Sequence, residues 1–86
     1  MVHNRGMGFE VTVEAVLPSS PKGHALEELE HHFEYVEHLV GSRSVTISEH
    51  VSMPNEADAV AFVRALVADA LPQGSKVTSV TAVGDE

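Results

Sequence analysis

The chain has 86 residues, a formal net charge of −8 with histidine neutral, and no cysteine. That length holds one domain, and the missing thiol excludes disulfides, thiolate zinc sites and cysteine nucleophiles. A surface so negative disfavours direct contact with nucleic-acid phosphates and with anionic membranes.

Residues 1–8 read as a loose N-terminal arm, because Asn4, Gly6 and Gly8 offer little to pack. Residues 9–17 read as a strand. Phe9, Val11, Val13, Ala15 and Leu17 alternate with Glu10, Thr12, Glu14 and Val16, the period-two pattern of a half-buried strand. Pro18, Ser19, Ser20, Pro21 and Gly23 supply turn chemistry. Residues 24–40 then read as one helix. Leu26, Leu29, Phe33, Val36 and Val40 recur at spacings of three and four, and Gly41 stands where a helix would stop.

Residues 44–53 form the second predicted strand. Val45, Ile47, Val51 and Met53 share a face with Glu49, while Thr46, Ser48, His50 and Ser52 share the other. The inward Glu49 is expected at a bulge or strand end that lets it reach water. Asn55 is placed to cap a helix over 56–71, with Glu56 and Asp58 favoured by its dipole. Pro72 and Gly74 stop it. Residues 76–83 are the third strand, and 84–86 should fray.

This order predicts an α/β domain over 9–83, with two layers. Short connections favour crossovers and a parallel three-stranded sheet carrying both helices on one face. The polar faces of the first two strands then lie open, which parallel sheets rarely tolerate. A ferredoxin-like α+β plait is the alternative. It needs a fourth strand, from splitting 44–53 or from recruiting the N-terminal arm.

The most unusual local feature is the polar side of residues 24–40. His24, His31 and His38 are spaced by seven, and Glu27–His31 and Glu34–His38 are i, i+4 pairs on a helix. With Glu28 they make an anionic ridge dotted with imidazoles. Glu27, Glu28, His31, Glu34 and His38 are therefore the expected partner-binding residues, with the open sheet face as the other candidate surface. Histidine and glutamate also ligate zinc or nickel, which makes His24, Glu27, His31, Glu34 and His38 weak metal candidates. Residues seven apart on a helix lie about 10.5 Å apart, too far to share one ion. A row of Glu27, Glu30 and Glu34 could alternatively imitate nucleic-acid phosphates, as small phage inhibitors do.

The chain has no G-x-S-x-G elbow, P-loop, dinucleotide fingerprint or H-E-x-x-H motif. The expectation is a small, acidic, non-enzymatic interaction or regulatory domain. It should be homodimeric, bind a basic protein partner, use no cofactor, and work in the cytoplasm, since no signal peptide or membrane span is visible. The valine-rich, lysine-poor composition fits a bacterial or phage gene.

Overall fold

The computed structural model describes residues 8–20 and 23–84, apart from the side chain of His24. The elements in order are β1 (Gly8–Val16), α1 (Gly23–His32), β2 (Tyr35–His38), β3 (Ser44–Ser52), α2 (Glu56–Ala70) and β4 (Lys76–Gly84). Gly8 and Gly84 belong to strands; the rest of the expected arm, 1–7, and of the fraying end, 85–86, lies outside the described residues.

Alternation builds the sheet side of the core. Val11, Val13, Ala15, Leu17, Val45 and Ile47 are buried on one face. Ala59, Val63 and Val67, spaced by four, bring α2 onto that face, and Leu29 and Phe33 bring α1. Asn55 caps α2 as its sequence position implies: the Asp58 N–H donates to Asn55 Oδ1 at 2.8 Å. Leu71 ends the helix, its N–H donating to the Val67 carbonyl at 3.0 Å. No helix among the described residues is long and apolar enough to cross a membrane.

The general α/β class stands, but the sheet is corrected. It has four strands in the order β2-β3-β1-β4, and every neighbouring pair is antiparallel. This is the strand order of the ferredoxin-like alternative. The fourth strand comes neither from splitting 44–53 nor from the N-terminal arm. It comes from the segment expected to finish the first helix.

That helix does not run to residue 40. Its last backbone bond runs from the Phe33 N–H to the Leu29 carbonyl, at 3.0 Å. Tyr35 and Val36 then turn extended, as aromatic and β-branched residues favour once a neighbouring strand offers its edge. Glu49 secures the change of direction, with Oε1 accepting the Glu34 N–H at 2.7 Å. Its inward position therefore needs no bulge: Glu49 lies in regular register opposite Val11. Gly41 is a hairpin residue between β2 and β3 rather than a helix stop. Its φ of +87° is the left-handed conformation that glycine adopts freely. The Ser42 N–H closes this turn on the Leu39 carbonyl at 2.9 Å.

The antiparallel arrangement also removes the difficulty of an open face. Antiparallel sheets commonly pack one face on the core and wet the other.

Candidate functional site

Directly opposed residues of antiparallel strands share a face, so the register maps the open side of the sheet. One row runs Tyr35, Ser48, Thr12, Thr81 across β2, β3, β1 and β4. The next runs Glu37, Thr46, Glu14, Ser79. His50, Glu10 and Val83 form a third row on the remaining three strands. The Thr12 and Ser48 hydroxyls meet at 3.0 Å at the centre. Ser48 is buried although it faces outward; it is small and stands between longer neighbours on both flanking strands.

Among the described strand residues, the charges on this surface are Glu10, Glu14 and Glu37, with Lys76 at one corner opposite Val16. Glu14 and Glu37 flank Thr46 two strands apart, a separation of about 10 Å from strand spacing. Glu10 lies four residues along β1 from Glu14, about 14 Å away. The result is a broad hydroxyl-paved field with three spread carboxylates. Glu37 and Tyr35 join it only because residues 35–38 are a strand; the helical expectation hid them.

Tyr35 and Glu37 stand side by side on the same face of β2. The Glu37 charge, foremost, holds the Tyr35 phenol above the usual tyrosine pKa, helped by some loss of water and by a hydrogen bond between the two side chains. Tyr35 is the sole tyrosine of the chain, so an absorbance titration reports it alone. Its ionisation is expected above pH 10.0, the ordinary value, and Glu37→Gln should bring it down. With the folded pKa raised, the contribution of this pair to stability is present below the unfolded value and is lost as pH rises through the folded one.

The predicted helical ridge is divided by the fold. Glu27, Glu28 and His31 lie exposed on α1, and the Glu27–His31 spacing of four survives there. Glu34 sits in the bend after α1, with its backbone held by Glu49. His38 ends β2 on the helix-covered side, opposite Val45, and its Nε2 lies 2.7 Å from the Ser42 carbonyl. The Glu34–His38 pairing and the ladder of seven are therefore corrected, and the phosphate-like row is interrupted at Glu34. The side chain of His24 lies outside what is described. Among the described residues, no three of His, Asp and Glu are grouped to hold a metal ion.

A groove of about 600 Å³ opens between α1, the loop after β1 and the end of α2. Leu17, Pro18, Leu29 and Pro72 give it apolar walls, and Glu28, His32 and Asp69 lie along it. No family model, curated protein or solved structure matches the chain.

Proposed function

We propose that the chain is a small non-enzymatic interaction domain that meets a basic protein partner on the open face of its sheet. The observation that supports this is the assembly of Glu10 and Glu14 of β1 with the sequence-distant Glu37 of β2 onto one hydroxyl-rich face that no described element covers. Charged fields of this kind steer oppositely charged partners and set specificity. The α1 ridge supports the same function less well, since only part of it remains on the helix.

An oligo-arginine peptide serves as the probe, with binding followed by calorimetry at low and raised salt. Affinity should fall as salt screens the field. Exposed charge contacts each contribute up to about 1 kcal/mol. Replacing Glu10, Glu14 and Glu37 together by Gln should therefore weaken binding about tenfold or more. Replacing Glu27, Glu28 and Glu30 by Gln should leave it within about twofold by the same arithmetic. Loss of binding in the helix variant, with the sheet variant unaffected, would move the surface to α1.

A further inference from the structure

We propose that β4 is a self-pairing edge, joining two copies of the chain through antiparallel β4–β4 contact into one eight-stranded sheet. β4 is the outer strand beside β1, and no described strand pairs with its other side. An outer strand of nine residues presents a row of backbone donors and acceptors, and proteins usually blunt such edges with charge, proline or shortness. The opposite edge is blunted in that way: β2 has four residues, and Glu37 and His38 are two of them. β4 reads Lys-Val-Thr-Ser-Val-Thr-Ala-Val-Gly, without proline and with its only charge at the start. The irregularity in its pairing with β1 falls near Glu14 and Ala15, which leaves residues 79–84 in regular register.

A second copy fits this edge for two reasons. The chain carries −8 overall, so most approaches of two copies bring carboxylates together, whereas β4 contains none. The strand is also self-complementary. With Thr81 meeting its counterpart on a two-fold axis, Val80 stands opposite Ala82 of the other copy on the helix side. Ser79 then stands opposite Val83 on the open side, and all paired residues keep their faces. Val83, two-thirds exposed at 67% in the single chain, gains cover. Both helical layers stay on one side, and the two polar faces join. This pairing does not depend on the basic-partner reading.

Sedimentation of the native chain from about 10 μM to 1 mM covers micromolar to millimolar dissociation constants. The mass should rise toward twice 9.2 kDa. Thr81→Lys sets two ammonium groups on the axis and should return the mass to 9.2 kDa with the circular dichroism unchanged. Thr81→Cys gives an independent arm, because the chain has no other cysteine. Opposed residues lie about 4.5–5.5 Å apart at Cα, within disulfide reach, so mild oxidation should cross-link this variant readily, whereas Glu37→Cys at the far edge should not. A chain monomeric throughout the range overturns the proposal. So does a dimer that Thr81→Lys leaves intact and Thr81→Cys fails to cross-link.

Discussion

Replacing Ile47 by alanine is expected to remove about 3–4 kcal/mol of stability, within the range for truncating a buried branched aliphatic. Ile47 is fully buried in β3, between Val36 of β2 and Val13 of β1. The lost methyl and methylene groups leave a void at the centre of the sheet that neighbours fixed by the strand ladder cannot fill. A domain of this length holds only roughly 4–13 kcal/mol in all, so the variant should lose between about a quarter and all of its stability. In urea its midpoint should fall steeply with an unchanged slope, while Ile47→Val should cost only about 1 kcal/mol. Equal midpoints for Ile47→Ala and the native chain would show that Ile47 is not buried as described.

Phe33→Ala should cost a comparable amount, about 3–4 kcal/mol, but with a different signature. Phe33 is the buried residue at the junction of α1 and β2, with the His32 ring edge-on to it at 6.4 Å between centroids. α1 has ten residues, fewer than the roughly 12–15 at which an isolated helix becomes even marginal in water. It is held by the burial of Leu29 and Phe33. Without the ring, α1 and β2 should open as a unit while β1, β3, β4 and α2 keep their pairing. Hydrogen exchange would show protection lost first in residues 23–38. Uniform loss across all strands would mean that the junction has no separate role, and Phe33→Leu should restore most of the protection.

Most of the fold is legible where a single period rules. The alternation from Phe9 to Leu17 and from Val45 to Met53 gives two strands to within a residue, and Asn55 announces α2 by its cap. The segment from His24 to Val40 misleads for a definite reason. Val36 and Val40 happen to extend the helical spacing begun by Leu26, Leu29 and Phe33, so one stripe spans two elements. The signals against a continuous helix are local and weak: Tyr35 and Val36 favour strand, and Gly41 serves a hairpin as well as it serves a helix stop. What decides between them is the edge of β3 and the Glu49 carboxylate waiting for the Glu34 N–H, both contacts made across the fold. The candidate surface is divided in the same way. Glu10, Glu14, Thr46, Ser48 and His50 are readable as outward-facing from the two strands alone. Tyr35 and Glu37 join them only once the fourth strand is recognised.

The polar face has its full width only if residues 35–38 leave the helix and pair with β3. Backbone NMR across residues 23–48 addresses this directly. Helical carbon shifts should stop at the bend after His32, and Tyr35–His38 should show extended shifts with cross-strand contacts to residues 45–48. Helical shifts continuing unbroken to Val40, with no contact between that stretch and β3, would contradict it.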